Sequence, residues 1–455
     1  MPSINIDFVQ DLLSALRLND RPWSGNGGGA PDRRLEEACA RLMKPGGEAS
    51  RIAAAAEALE AWQRLDAAQR AAFFRRLLDD YGADAEALRA AYAGWEAARA
   101  ARAADAPAAP GQETPEAAFA RLFQAVEPRR QALLRALNLC PGGTIALVRM
   151  REDLLAATKA DPSLAPLDVD FAHLFASWFN RGFLVLREID WNTPAAILEK
   201  IVAYEAVHEI RDWADLRRRL DPADRRCFAF FHPATGDEPL VFVEVALTDG
   251  VPGAIAPVLE GGGAMDPREA DTAVFYSISN CQAGLKGVTF GSFLIKQVVQ
   301  ELSRELPNLR TFVTLSPVPG FAAWLARTAQ DDPLAADLRE KLAAGVWRED
   351  EAEARALAPR MERRAAQYLL EGKREDGRPQ DPVARFHLGN GAMLAQVHWP
   401  ADLSDGGVEK GCGAMVNYLY DLERIEARHE AFAQDGTVAA ATGVKRLLKS
   451  QEKAA

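Results

Sequence analysis

No two of the five cysteines are spaced as a metal-binding or redox pair. Cys39, Cys140, Cys227, Cys281 and Cys412 are scattered, and the six histidines form no H-E-x-x-H helix. A metal centre is therefore not expected, and an odd number of thiols suits a reducing compartment. The chain also lacks an apolar run long enough for a membrane span. Its first residues, MPSINIDFVQDLL, carry aspartates and no charged leader, and its last, QEKAA, are not a peroxisomal tripeptide. These absences lead to the expectation of a cytoplasmic protein with no membrane partner. Positive charge is in deficit as well: 54 Lys and Arg against 65 Asp and Glu leave a formal net charge of −11. Nucleic acid is thereby disfavoured as the main partner, because phosphate backbones want a basic face. An anionic small ligand is still compatible, since a local basic pocket can sit on an acidic protein.

What is present is a globular composition, 48% hydrophobic and 26% charged over 455 residues, enough for two domains with separate cores. Residues 1–35 end in SGNGGGAPD and read as a flexible tail. From 36 to 167 the chain is dominated by Ala, Arg, Glu and Leu at helical spacing, as in SRIAAAAEALEAWQRL and AAFFRRLLDDYG. Asp66 with Gln69 makes a capping-box pattern, and Thr114 with Pro115 marks another helix start. An Ala/Pro-rich break runs from Ala103 to Gly111. This segment reads as a helical bundle serving oligomerisation, with no cluster that suggests chemistry.

The texture changes near Asp168, and 168–455 reads as a second domain. A strand FLVLREI precedes a helix from Thr193 and another in DWADLRRRL. Strands follow in RCFAFFHP, PLVFVEVAL and TAVFYSISN. A helix from Ser292, the strand LRTFVTLS and the helix FAAWLAR come next. After a helical insertion containing REDEAEAR, ARFHLGNGAMLAQVHW forms a last apolar region. The fold class is α+β, a helical bundle followed by a mixed sheet. The element order is that of the GNAT acyltransferase fold, an analogy of topology that raises CoA as a ligand class.

Between the third of those strands and the next helix lies QAGLKGVTFGS. Gly284, Gly287 and Gly291 allow close backbone approach and positive φ. A helix start at Ser292 would present unpaired N–H groups to an anion, and Lys286 adds charge. Pyrophosphate is the natural guest; the alternative is a glycine-rich turn with Ser292 as an ordinary cap. A dinucleotide fingerprint is disfavoured, because the spacing is not G-x-G-x-x-G and no repeated βαβ units surround it.

FYSISNCQAGLKGVTFGSFLIK, TLSPVPGFAAWL, ARFHLGNGAML and GCGAMVNYLY, in that order, resemble the malonyl-CoA decarboxylase family, as do YEAVHEIRDW and EPLVFVEVAL. The resemblance spans the chain from about residue 140, and less specifically the helical region before it. It implies a GNAT-like catalytic domain converting malonyl-CoA to acetyl-CoA and CO2 without metal or organic cofactor, CoA being part of the substrate. It also implies homotetramers built as dimers of dimers. Gln282, Gly284, Lys286, Gly287, Val288, Thr289, Phe290, Gly291 and Ser292 would hold the CoA. Ser316 would act as proton acceptor and substrate contact, where S-P-x-P alone fits a helix start equally. His387 would be the proton donor, where a lone histidine among apolar residues is ordinarily just packed. Asn390 and Tyr420 would line the substrate pocket, with Asn417 in the same motif; turn stabilisation and core packing are their plainer roles. Thr289 departs from the glutamate of animal members, which puts a third catalytic position in doubt.

Overall fold

The computed structural model describes residues 30–103, 113–261, 265–288 and 293–449. The segment read as a tail through residue 29, the Ala/Pro-rich break after Ala103, and the loop positions Thr289, Phe290, Gly291 and Ser292 lie outside them. The chain divides into two compact units at Gly143 and Thr144.

The first unit is helical. Helices Pro31–Leu42, Glu48–Gln63, Ala67–Asp80 and Arg129–Leu137 close around Trp62, Phe73, Phe74, Leu133 and Leu137, all buried. Pro31 already lies in the first of these helices, so helical structure starts inside the range read as a tail. The capping box is present: Asp66 accepts from the Gln69 amide while the Gln69 side chain accepts from the Asp66 amide. Thr114 caps Pro115–Val126 through the Ala117 amide. Ala85–Ala103 completes the described helices of this unit.

The second unit opens with helices Gly143–Ala160 and Ala165–Trp178, ahead of the change in texture at residue 168. Its centre is a mixed sheet. β1 (Val185–Glu188), β2 (Arg225–Phe231), β3 (Pro239–Thr248) and β4 (Thr272–Asn280) form an antiparallel meander. β5 (Thr311–Thr314) returns parallel to β4 through the helix Phe293–Glu305. β6 (Ser316–Pro317) and β7 (Met393–His398) both pair antiparallel with β8 (Met415–Leu419), which also touches β5. This is the GNAT-like order expected, with Pro333–Ala344 and Glu351–Glu371 as the helical insertion. Among the described residues no helix is long and apolar enough to cross a membrane.

Strand alternation assigns the cores. Side chains of successive strand residues point to opposite faces, so Phe228 and Phe230 pack with Val298, Val299 and Leu302 of the crossover helix. Cys227, Ala229 and Phe231 turn the other way, onto Ile197, Leu198 and Leu216 from the helices Ala195–Tyr204 and Trp213–Leu220. Each large apolar side chain so buried contributes about 1.5–3 kcal/mol.

One break in the sheet creates the site. β4 and β5 stay in register only from Thr272↔Thr311 to Phe275↔Thr314. The last bond beyond them is the Leu315 amide to the Phe275 carbonyl, 3.0 Å. There β4 runs on to Asn280, while the other strand steps across to pair Ser316 with Val416. The sheet splays, and a gap opens between the end of β4 and β6.

The glycine loop is fixed at its near end. Arg151, 3% exposed, forks onto Asp168 through Nε at 2.7 Å and Nη2 at 3.3 Å, and its Nη1 donates to the Gly284 carbonyl at 2.8 Å. A Cβ on Gly284 would stand 1.9 Å from the Val148 carbonyl oxygen. The glycine is required there for the approach of a helix, and its φ is not in the positive region; the sequence reading of this position is corrected accordingly. Since overpacking costs about 1–3 kcal/mol even where the core can yield, Gly284→Ala is expected to cost at least that, read as a lower denaturation midpoint in urea.

Candidate active site

Ser316 and His387 are 71 residues apart in sequence and meet at the gap: Ser316 Oγ lies 3.1 Å from His387 Nε2. The serine is held by the strand step. β6 pins Ser316 and Pro317 against Val416 and Met415, and the next helix begins only at Phe321, so Ser316 caps nothing. The histidine sits in the last turn of the helix Pro382–Gly389, which Asp381 starts by accepting from the Ala384 amide at 2.8 Å.

β8 and the residue after it build the seat of the ring. Val416, Tyr418 and Tyr420 share a face by the two-residue period. The Tyr418 ring stacks on the imidazole with centroids 4.6 Å apart at 22°. The Tyr420 hydroxyl lies 2.8 Å from His387 Nδ1. On the opposite face Asn417 donates to the Thr314 carbonyl at 2.8 Å, tying β8 to the end of β5. Tyr420 is 2% exposed and stands behind the histidine. It lines neither of the cavities beside the pair, a correction to the motif reading; its position is that of a residue orienting the ring.

The donors assign the tautomer. The Ser316 hydroxyl points its proton at Thr314 Oγ1, 2.8 Å away, which also accepts from the Tyr418 amide at 3.1 Å. Nε2 must then donate to Ser316, which leaves Nδ1 to accept from Tyr420. Burial holds the Tyr420 hydroxyl well above the usual tyrosine range, so it keeps its proton for that bond. The result is a neutral imidazole with its N–H facing the serine and the cavity. Burial alone pushes the His387 pKa down to about 3. The ordinary titration range of histidine, which makes it attractive as a proton donor from sequence, is therefore not the range of this group.

Two cavities with shared wall residues lie at the pair and next to it. The smaller, about 360 Å³, contains Ser316, Pro317 and His387 together with Val207 and the end of β4. The larger, about 810 Å³, runs along the loop Gln282–Val288. Ile278, Asn280 and Phe386 border both. Gly287, at φ +80°, has open space where a Cβ would stand, and Lys286 is exposed beside it. Gln282 donates to the Pro239 carbonyl at 3.0 Å, a bond that holds the loop start to β3 while the residue still lines the larger cavity. Asn390 lies in that larger cavity too and donates to the Phe386 carbonyl at 2.8 Å, away from the reacting pair. Arg378 and Arg385 bring cations that the sequence reading passed over; the run VARFHL, with an arginine two residues before the histidine, was the available signal. Thr314 was also missed, though it precedes Ser316 by one strand period. Among the described residues no group of three or more His, Cys, Asp and Glu is placed to hold a metal.

A mixed splayed sheet with a serine–histidine pair at the split defines a GNAT-like α+β protein. The chain belongs to the malonyl-CoA decarboxylase family. Residues 182–455 match that family's C-terminal domain, and residues 81–179 its N-terminal domain. The mitochondrial malonyl-CoA decarboxylase of Rattus norvegicus is 35% identical over 394 residues, covering 79% of this chain and 77% of its own. Crystal structures of malonyl-CoA decarboxylases from Rhodopseudomonas palustris and Agrobacterium vitis are 50% and 52% identical, with TM-scores of 0.82 and 0.83. Each match covers 91% of this chain and 99% of the other.

The dry histidine makes acid lability calculable. His387 binds its proton less readily folded, near 3, than at the ordinary value of 6.5. As pH falls, the unfolded chain protonates first, so stability drops across the window from about 6.5 to 3. His208, lowered to about 4 by burial, acts in the same direction. Each such group costs about 1.4 kcal/mol per pH unit inside its window. Between pH 7 and pH 5 the wild type is expected to lose about 2 kcal/mol more than His387→Gln, measured by urea denaturation at both pH values.

Proposed function

We propose that this chain decarboxylates malonyl-CoA to acetyl-CoA and CO2, with neither metal nor organic cofactor, and that His387 protonates the intermediate enolate. The observation supporting this most directly is the dry Ser316–His387 pair, its N–H turned toward a cavity that continues into a cleft along the glycine loop. CoA occupies the larger cavity, its phosphates near Lys286 and Gly287. Arg378 and Arg385 complement their charge from the facing wall. The acyl group enters the smaller cavity.

The malonyl carboxylate supplies the counter-charge that the site otherwise lacks. A negative charge within about 4–6 Å favours the protonated ring, so His387 takes up one proton as the substrate binds. Tyr420 oxygen can accept as well as donate, and it follows the change at Nδ1. Cleavage of the C–C bond releases CO2 and leaves the electron pair on the thioester as an enolate. The Ser316 hydroxyl turns from Thr314 to the oxyanion. Nε2 then delivers its proton to the α-carbon, and the ring is left neutral with its remaining proton on Nδ1, facing the Tyr420 oxygen, until proton exchange restores the resting tautomer. One proton enters and one C–H bond forms.

The tetrameric assembly implied by the resemblance, and the cytoplasmic location expected from the sequence, belong to the same reading. Light scattering and cell fractionation test them.

Mass spectrometry of malonyl-CoA incubated with the pure protein and EDTA tests the reaction. Acetyl-CoA without any acceptor is expected. An acyl-amine formed only when an amine is added, or unchanged malonyl-CoA, overturns the reading. His387→Asn is expected to lower kcat by about 10²–10⁴-fold, the usual worth of a general acid, with CoA affinity retained. Ser316→Ala is expected to lower kcat by more than about tenfold, or about 1.4 kcal/mol of barrier.

The phosphate assignment has its own test. Gly287→Val is expected to weaken CoA by about tenfold or more, equivalent to about 1.4 kcal/mol. Lys286→Ala is expected to weaken it with a shallower salt dependence than the wild type. Calorimetry on both variants, with thermal melts to account for the strained φ at position 287, decides it. Unchanged affinity in the two variants removes the loop from the CoA site.

A further inference from the structure

The motif YEAVHEIRDW takes no part in the chemistry described above, yet it is an irregular segment hydrogen-bonded at consecutive residues. It runs as a strap from Glu205 to Arg211, between the helices Ala195–Tyr204 and Trp213–Leu220. Its amides are taken by acceptors from one side. Glu205 Oε1 accepts from the Val207 amide at 2.8 Å and the His208 amide at 2.7 Å, and Ser279 Oγ accepts from the Ala206 amide at 3.2 Å. The same carboxylate takes the Ser277 hydroxyl at 2.7 Å on Oε2.

The carbonyls are taken from the other side. Arg219, 3% exposed, donates through Nη1 to the His208 carbonyl at 2.8 Å and through Nη2 to the Glu209 carbonyl at 2.9 Å. Glu244 of β3, fully buried, fixes that guanidinium at 3.2 Å. Charged groups are costly to bury, and a buried ionic pair is weak evidence for stability by itself. Here the pair and the Glu205 carboxylate converge on three consecutive residues, Val207 to Glu209, with Ser279 holding Ala206 before them, and what they hold in place is Val207.

Val207 lines the smaller cavity with Ser316 and His387 and is absent from the walls of the larger one. It therefore stands at the acyl end and not along the CoA cleft. Every other lining residue of that cavity comes from β4, β6 or the helix carrying His387. Among the described residues Val207 is the one apolar side chain that enters from a separate segment, so its bulk can change without altering the sheet or the reacting pair.

We propose that Val207, carried on this clamped strap, sets the size limit at the α-carbon and selects malonyl thioesters over α-alkylated ones. The inference rests on the decarboxylase reading and specifies its substrate. Glu205, Arg219 and Glu244 are positioning residues for that wall: they act through Val207 and touch no reacting atom. An unclamped strap could retreat by the width of a methyl group and lose the discrimination.

The test compares kcat/KM for malonyl-CoA and methylmalonyl-CoA in the wild type, Val207→Ala and Val207→Leu. A methyl group in an apolar pocket is worth about 10–200-fold in selectivity. The wild type is expected to favour malonyl-CoA, Val207→Ala to shift the ratio about tenfold or more toward methylmalonyl-CoA, and Val207→Leu to shift it the other way. Glu205→Ala is expected to shift it as Val207→Ala does, whereas Leu325→Ala, which only loosens the core far along the chain, is expected to leave it alone. A wild type without the preference, or ratios unchanged in both Val207 variants, overturns the proposal. A shift in Val207→Ala without one in Glu205→Ala overturns the clamp. A binding arm keeps this separate from the reaction itself. Calorimetric affinities of acetyl-CoA and propionyl-CoA need no turnover, and equal ratios for the wild type and Val207→Ala overturn the size limit whatever the reaction proves to be.

Discussion

Keeping the His387 imidazole dry, with no charged partner beside it, is the constraint on which the rest of the second unit depends. Burial pushes its pKa to about 3, and a neutral ring in an apolar interior needs both nitrogens hydrogen-bonded. Tyr420 and Ser316 supply those bonds. Each of them must itself be held, which requires β8 to lie against both the end of β5 and the isolated β6. The splay between β4 and β5 follows from the same requirement, because a chain that kept its pairing with β4 could not carry Ser316 across to Val416. One neutral histidine thus accounts for the break in the sheet, for the aromatic residues of MVNYLY, and for the helix that delivers the ring.

In the reaction proposed above, the site is switched by its ligand. In the absence of an anion the ring stays neutral, and a substrate carboxylate would bring the charge that favours its protonated form. The local field would then change sign during the reaction, as the carboxylate is lost and the enolate is quenched. Surrounding the ring with Tyr418, Phe386 and the tyrosine hydroxyl, all neutral, leaves substrate as the dominant nearby charge. A permanent carboxylate partner would have fixed the imidazolium in advance.

The two walls of the smaller cavity are stiffened by different means. The wall carrying Ser316 and His387 is made of β-ladder and a capped helix, where repetitive backbone bonding supplies rigidity. The strap Glu205–Arg211 has no ladder, and its backbone groups are bonded one by one through Glu205, Ser279 and Arg219. Buried polar networks of this sort are costly unless every member is bonded. Their presence beside an acyl pocket matches a need for shape more than a need for stability.

Local chemistry was written plainly in the sequence. The Asp66–Gln69 capping box, the Thr114–Pro115 helix start and the alternating apolar strands depend on neighbours a few residues away, and they form as their residues dictate. Motif order also identified the family and put Ser316 and His387 forward. What the sequence could not decide was how distant segments share space. Gly284 read as a phosphate-facing glycine, but the Val148 carbonyl occupies the place of its Cβ. Tyr420 read as a pocket residue, but β8 turns it behind the histidine, where its hydroxyl bonds Nδ1 and orients the ring. The proton affinity of His387 was legible only as that of an ordinary histidine, because a side chain's pKa depends on the water removed from around it. That removal is the work of residues scattered from Phe275 to Tyr420, and only the tertiary structure brings them together.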